Sequence, residues 1–175
     1  MLNHGISTGA LFLLVGMIYE RRHTREISAF GGITRVMPLF AIAFMIVTLS
    51  SVALPGTNGF IGEFLILLGS WKVNPGLTAI STLGVIFGAV YMLWMFQRVM
   101  LGPVTHHENE NLKDLSFREM SVLAPLIVAI FVMGIFPNLF FEKMEPSIKR
   151  FLSLSTARMV AHSGTTQADV ASRGN

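Results

Sequence analysis

The chain has 175 residues, of which 52% are hydrophobic and only 13% are charged. A soluble domain usually carries about 25% charged residues, so this composition argues against even a very apolar soluble helical bundle and favours an integral membrane protein. The absence of cysteine excludes disulfides, thiolate metal sites and cysteine nucleophiles. The net charge of +3 is modest, and the Lys and Arg residues stand between apolar runs, where they indicate membrane topology rather than a nucleic-acid-binding surface.

The first apolar segment covers residues 1–19. It is barely long enough to span, because a bilayer core needs about 20 helical residues, and it ends at the charged run 20–26. No basic region of a signal peptide precedes it. We therefore expect a chain that is joined partway through a longer protein.

The second apolar segment, residues 37–71, is interrupted at 55–59 by the run Pro-Gly-Thr-Asn-Gly. An unbroken helix of this length would reach roughly 50 Å, which is too long for one straight span and too short for two. Proline removes a backbone donor and glycine unwinds the chain. The pattern predicts one discontinuous transmembrane helix, whose freed backbone groups must be buried in protein or line a wet cavity.

The third and fourth apolar segments cover residues 77–100 and 122–141. Gly84 and Gly88 in the third are spaced for the close approach of a neighbouring helix, although chance in a glycine-rich chain is an equal explanation. The polar connector between the two segments contains His106 and His107 among acidic residues. Because their spacing matches no strong metal motif, we interpret the connector as a solvated loop.

The fold predicted from these segments is an all-α polytopic membrane protein of about four transmembrane helices, the second discontinuous, within residues 1–141. Basic and apolar residues recur at helical spacing over 142–162 with mixed faces, which we interpret as an amphipathic helix at the membrane surface or against a partner. Residues 163–175 are predicted to form a disordered tail. The excess of Lys and Arg in the first and third loops places both in the cytoplasm.

Glu63 is the one ionisable residue between Met37 and Trp71, and it lies just past the predicted break. A carboxylate at that depth is costly and should face a polar interior, a water chain or a basic partner. Intramembrane acids are functional more often than structural, so Glu63 is the first candidate for a proton relay; the alternative is a glutamate that satisfies the broken backbone.

His4 is the second candidate, because an imidazole inside an apolar segment can pass protons between waters near neutral pH. A hydrogen-bonded packing histidine is an equal alternative. Ser7 and Thr8 either extend a hydrogen-bond chain or bond their own helix. We find no phosphate loop, hydrolytic triad or cofactor fingerprint, so any redox chemistry would take place on another subunit.

Two stretches resemble a known family. One is residues 3–12, Asn-His-Gly-Ile-Ser-Thr-Gly-Ala-Leu-Phe, followed by residues 19–25, Tyr-Glu-Arg-Arg-His-Thr-Arg. The other is residues 54–64, Leu-Pro-Gly-Thr-Asn-Gly-Phe-Ile-Gly-Glu-Phe. Together they resemble the antiporter-like M subunits (chain 4 in mitochondria) of the proton-pumping NADH–quinone oxidoreductase, respiratory complex I, over nearly all of residues 1–160.

The resemblance implies the last four of fourteen helices built on two inverted repeats, with Glu63 at the terminal proton-site carboxylate and His4 on the central hydrophilic axis. It implies no cofactor and no metal on this chain, with NAD, FMN, iron–sulfur clusters and quinone on partner subunits. The expected partners are the other membrane subunits of complex I and the lipid bilayer, with no nucleic acid. The expected location is the inner (plasma) membrane of a bacterium.

Two rival functions remain open. A subunit of a multisubunit cation/proton antiporter shares this fold and similar motifs, and would move sodium against protons without a redox partner. An inert membrane assembly fragment would conduct nothing.

Overall fold

The computed structural model describes the backbone of residues 1–173 and the side chains of residues 1–155. Within these residues the chain is helical, without strands, as the sequence predicts. Two single-turn 3-10 helices, Ile27–Ala29 and His107–Asn109, lie in the loops. The α-helices are α1 Leu2–Arg22, α2 Ile33–Val36, α3 Pro38–Ser51, α4 Asn58–Trp71, α5 Pro75–Met100, α6 Phe117–Ile135 and α7 Asn138–Arg173.

Three of the described helices, α1, α5 and α6, are long and apolar enough to cross a membrane. The short apolar helix α3 and the helix α4 follow one another as the two halves of the interrupted second segment. This arrangement confirms the prediction of four spans, of which the second is discontinuous.

The interruption lies at residues 52–57, a few residues before the predicted 55–59, because α3 closes with a Schellman motif. The N–H of Leu54 donates to the carbonyl of Leu49 at 3.0 Å and that of Ala53 to Ser50 at 3.3 Å. Ala53 takes the left-handed conformation (φ 58°) that this cap requires and that glycine usually supplies. The cap ends the helix before Pro55 is reached.

The unwound segment is covered by the last turns of α6. Gly56 adopts φ 92°, which favours glycine. Gly134 of α6 lies so close to the backbone of Gly56 and Thr57 that a Cβ at position 134 would overlap it. The end of the break at Gly56 and Thr57 is therefore covered by protein, whereas Leu54 and Pro55 are exposed in this chain.

The fourth span is shifted relative to the predicted 122–141. It begins at Phe117 because Ser116 and Glu119 form a capping box, in which Ser116 Oγ accepts from the Glu119 N–H and the Glu119 carboxylate accepts from the Ser116 N–H. It ends at Ile135, two residues before Pro137. Residues 136–137 then separate it from α7.

The core lies where α1, α3 and α6 pack together with the last turns of α5. Aromatic rings of α3 and α5 stack through it, with Phe44 between Phe40 at 5.8 Å and Phe96 at 6.1 Å, measured between ring centroids. By contrast, most large apolar side chains in the first half of α5 are exposed. Side chains buried in this core include Ala10, Leu14, Phe40, Val47, Met100, Leu123 and Ile130.

The first loop (residues 23–37) and the third loop (residues 101–116) pack against each other and form what we call the polar cap. The N–H of Gly32 donates to the Leu101 carbonyl at 3.1 Å, and Asn109 Nδ2 donates to the Ala29 carbonyl at 3.1 Å. Arg22 of α1 also forms an ion pair with Glu108. The two loops therefore lie on the same side of the transmembrane helices.

Asp114 of the polar cap serves as an N-cap for a helix remote in sequence. Its carboxylate accepts the N–H groups of Leu39 at 2.9 Å and Phe40 at 3.0 Å, in the first turn of α3. Arg21 of α1 completes the region, with a bidentate ion pair to Glu119 at 2.7 and 2.8 Å. The cap thus fixes the ends of α1, α3 and α6.

Residues 138–175 form a second compact unit, in which the backbone is helical through Arg173. An exposed ion pair joins Glu145 and Lys149 at 2.6 Å. The interfacial position predicted for 142–162 remains a prediction. A disordered tail is predicted for 163–175. The helix continues over 163–173 of this range, and Gly174 and Asn175 lie outside the described residues.

Candidate functional site

A cavity of about 450 Å³ lies beside the break and receives side chains from α1, α3, α4 and α5. His4 of α1 and Glu63 of α4 both line it. The two site residues predicted from the sequence, 59 positions apart in the chain, are therefore brought to one space. The other polar residues that line the cavity are Asn3, Ser7, Thr8, Ser50, Ser51 and Tyr91.

Glu63 lies in the second turn of α4, five residues after the helix begins at Asn58. The residue is partly buried, and its carboxylate oxygen Oε2 is fully buried with no hydrogen-bond partner among the described residues. A buried carboxylate oxygen without a donor is costly unless water reaches it. Glu63 therefore does not satisfy the broken backbone, which was the structural alternative for this residue.

His4 lies in the first turn of α1 and is exposed in this chain. Its ring nitrogen Nδ1 is 3.2 Å from the Thr8 hydroxyl, one turn further along the helix. No direct hydrogen bond joins His4 and Glu63 among the described residues. A proton that moves between them must therefore cross the cavity through water.

A second cavity of about 310 Å³ adjoins the same carboxylate on the side of α5. It shares Ser51, Glu63, Gly88 and Tyr91 with the first cavity and extends along α5 to Gly84 and Ser81. Glu63 is therefore located where the two spaces meet. One space leads to His4, and the other leads towards the N-terminal half of α5.

The two glycines of α5 do not make the close helix approach that their spacing can favour. A Cβ at Gly84 would meet nothing within 4 Å, and one at Gly88 would meet only the Tyr91 ring of the same helix, at 4.0 Å. Within the part of the chain that the structure describes, these glycines leave space beside Glu63.

A buried polar cluster, which we call the amide clamp, joins the three helices that meet at the break. It comprises Asn3 and Ser7 of α1, Ser50 of α3 and Asn58 of α4. Ser50 Oγ donates to Asn58 Oδ1 at 2.6 Å, and Asn58 Nδ2 donates to the Asn3 carbonyl at 3.0 Å. Asn3 Nδ2 returns a bond to the Asn58 carbonyl at 2.9 Å.

Ser50 and Asn58 are not among the site residues predicted from the sequence. Asn58 carries a usable signal, because an amide inside a predicted break at membrane depth must find partners. Ser50 carries none, since a serine in a transmembrane helix usually bonds its own backbone. Only the fold places Ser50 against α1.

Three of the other four histidines, His23, His106 and His107, lie in the polar cap. His23 is exposed and ends α1 in the left-handed conformation (φ 51°). The ring Nε2 of His106 is 3.0 Å from the Ser28 carbonyl, and His107 is exposed beside Glu110 at 3.6 Å. These contacts are those of a loop surface.

The family described as "NADH:quinone oxidoreductase/Mrp antiporter, TM" matches residues 1–90, about half of the chain. Among curated relatives, NADH-quinone oxidoreductase subunit M of Rhodobacter capsulatus is 45% identical over 148 residues, and that of Rickettsia conorii is 49% identical over 152 residues. These alignments cover 85% and 87% of the chain but only 29% and 31% of the relatives. The chain thus spans about three tenths of their length.

Two solved structures share the fold. A chain of respiratory complex I from Thermus thermophilus superposes with a TM-score of 0.80 and 38% identity, covering 87% of this chain and 32% of that one. A chain of the Mrp complex from Dietzia superposes with a TM-score of 0.70, covering 81% and 34%. At 19% identity, the second likeness concerns the fold alone. The chain is a multi-pass membrane protein, and it belongs to the NADH:quinone oxidoreductase/Mrp antiporter transmembrane family.

Proposed function

We propose that this chain forms part of a membrane proton-translocating subunit of an NADH–quinone oxidoreductase. Quinone reduction on partner subunits, which hold NAD, FMN and iron–sulfur clusters, would drive protons through the chain by electrostatic coupling along buried charges. The chain itself would carry no redox chemistry. Its relatives named subunit M support this assignment, and their bacterial sources support a location in the inner membrane.

The observation that carries the proposal is that the Glu63 carboxylate is buried without a partner beside a polar space. Its oxygen Oε2 is buried and has no hydrogen-bond partner among the described residues, and Glu63 lines a cavity that His4 also lines. The space of about 450 Å³ can hold on the order of ten water molecules, because each occupies about 30 Å³ in the liquid. In our proposal, His4 and water load Glu63 from the central axis, and the carboxylate then releases its proton on the α5 side.

The test is Glu63→Gln in the full-length parent complex, because glutamine keeps the shape of the side chain but cannot ionise. We expect NADH-driven proton pumping to be abolished while the complex assembles to its normal level. Pumping would be measured with a pH-sensitive dye in vesicles, and assembly by the content of complex in the membrane.

The matched control is Glu26→Gln, since Glu26 is exposed in the first loop and lies outside the cavity. This control should pump as the unmodified complex does. Wild-type pumping by Glu63→Gln would end the proposal. A His4→Ala variant should reduce pumping less, because water can still reach Glu63 through the cavity.

A multisubunit cation/proton antiporter is the second candidate, favoured by the fold shared with the Mrp complex chain. Copurification with flavin and iron–sulfur subunits would support the oxidoreductase. Sodium-dependent transport in their absence would support the antiporter. Failure of the chain to enter any larger complex would support an inert assembly fragment.

A further inference from the structure

We propose that Asn58 is a positioning residue for Glu63, and that the amide clamp sets the direction in which the carboxylate points into the cavity. This inference rests on the proposed function of Glu63. It concerns four residues of the clamp, none of which we assign to proton transfer.

The first observation is that Asn58 pairs both side-chain polar atoms and its backbone carbonyl with residues of two other helices. The residue is fully buried. Its Oδ1 accepts from Ser50 at 2.6 Å and lies 3.3 Å from the Ser7 hydroxyl, while Nδ2 and the backbone carbonyl both bond Asn3. A buried hydrogen-bond network of this kind favours a single arrangement of the elements that it joins.

The second observation concerns the direction of the hydrogen bonds. The Asn3 carbonyl can only accept, so the atom of Asn58 that faces it is the NH₂ group and the opposite atom is the acceptor oxygen. Ser50 must then donate to Asn58, and Ser7 donates to Ser50 at 2.9 Å or to the same amide oxygen. An amide oxygen does not pass a proton on, so the clamp ends the hydroxyl chain instead of conducting along it.

The third observation links the clamp to the carboxylate. Asn58 begins α4, and Glu63 follows in the next turn of the same helix. Gly62, directly before Glu63, lies against the Asn3 side chain, and a Cβ there would come within 2.8 Å of Asn3 Nδ2. The rotation of α4 about its own axis is thus fixed at two points next to Glu63.

This fixation matters because α4 begins at a break and is not continuous with α3. A half-helix released from α3 can rotate, and successive side chains differ in direction by about 100°. A small rotation would turn the carboxylate away from the cavity that it shares with His4 and Tyr91, the other titratable side chains that line it. No charged side chain of α3 or α6 lines either cavity in the described part of the chain.

The experiment uses Asn58→Leu and Ser50→Ala in the full-length complex. Leucine has the branched shape of asparagine with a larger volume and no hydrogen bonds, whereas Ser50→Ala removes the hydroxyl that bonds both Asn58 and Ser7 with little change in packing. The readout is the modification of Glu63 by a hydrophobic carbodiimide, which reacts with protonated carboxyl groups, followed by mass spectrometry across a pH series. Pumping and complex content are measured on the same membranes.

We expect the pH midpoint of Glu63 modification to shift by about one unit in Asn58→Leu, since the solvation of the carboxylate changes with its direction. Pumping for each NADH should fall about tenfold in that variant, as misplacement of a reacting group by an ångström can cost this much or more. Ser50→Ala should shift both quantities in the same direction by less. A merely structural role would lower complex content and leave the midpoint unchanged.

Thr48→Val is the matched control, because Thr48 is buried on α3 half a turn before Ser50 and its hydroxyl has no hydrogen-bond partner in the described residues. It should keep the wild-type midpoint. An unchanged midpoint in Ser50→Ala and in assembled Asn58→Leu overturns the inference; if Asn58→Leu does not assemble, Ser50→Ala alone decides. If the midpoint is unchanged and Glu63→Gln also pumps normally, the proposed function fails together with the inference. If the midpoint is unchanged and Glu63→Gln does not pump, the inference alone fails.

Discussion

Gly134 shows how one residue permits the break in the second span. The last turn of α6 lies directly on the backbone of Gly56 and Thr57, where a side chain at 134 would not fit. The contact covers the peptide groups of Gly56 and Thr57, which the interrupted helix leaves free. A single missing Cβ therefore supports the unwound segment on which the orientation of Glu63 depends.

A Gly134→Ala variant should be destabilised by about 1–3 kcal/mol, the usual cost of adding a methyl group to a packed interior. The neighbouring atoms are backbone and cannot move aside as a side chain would. The measurement is the temperature at which the chain is released from the purified complex. Gly69→Ala, near the end of α4 with nothing within 4 Å of the added Cβ, should change this temperature little.

At the scale of elements, the discontinuous span is held at both ends of its first half. Asp114 binds the N–H groups of Leu39 and Phe40 at the start of α3, and the Schellman motif at Ala53 closes its end. The start of α4 is joined to α1 and α3 by the amide clamp at Asn58, and the helix packs against α5 and α6. The fixed half and the clamped half together place Glu63 beside α5.

An Asp114→Ala variant should destabilise the chain by about 0.5–2 kcal/mol, the range measured for the loss of an N-cap side chain. The negative charge of the carboxylate is also stabilised by the positive end of the α3 dipole. We therefore expect a loss of stability in the upper part of this range. Thermal release of the chain from the complex is again the measurement. If Asp114→Ala and the exposed loop variant Glu26→Ala are released at the same temperature, the Asp114 carboxylate contributes nothing to stability.

At the scale of the transmembrane unit, residues 1–137, the polar cap defines one face. The first and third loops bond to each other, and α5, which is 26 residues long, carries the chain from the second loop to the third. Because α5 crosses the membrane once, the turn around Val73 must lie on the opposite side from the polar cap.

Single cysteines test this topology, since the chain has none of its own. Glu26→Cys and Glu110→Cys should both react with a membrane-impermeant maleimide applied to the cytoplasmic side. Val73→Cys should react only from the other side. Labelling of positions 26 and 110 from different sides would contradict the packing of the two loops.

The sequence by itself determined the class of the protein, the number of its spans, the interrupted second helix and its one deep carboxylate. These features follow from local physics: apolar length, the backbone chemistry of proline and glycine, and the cost of a charge in lipid. The resemblance carried by residues 3–12 and 54–64 also identified the family.

Only the tertiary structure decided that His4 and Glu63 share a cavity, that Ser50 and Asn58 clamp the break, and that no helix of the described residues packs closely on Gly84 and Gly88. It also moved the break and the fourth span by several residues, because the Schellman motif at Ala53 and the capping box at Ser116 fix where those helices end and begin. Contacts between residues remote in sequence depend on how helices approach one another, and no local pattern in a single chain encodes that approach.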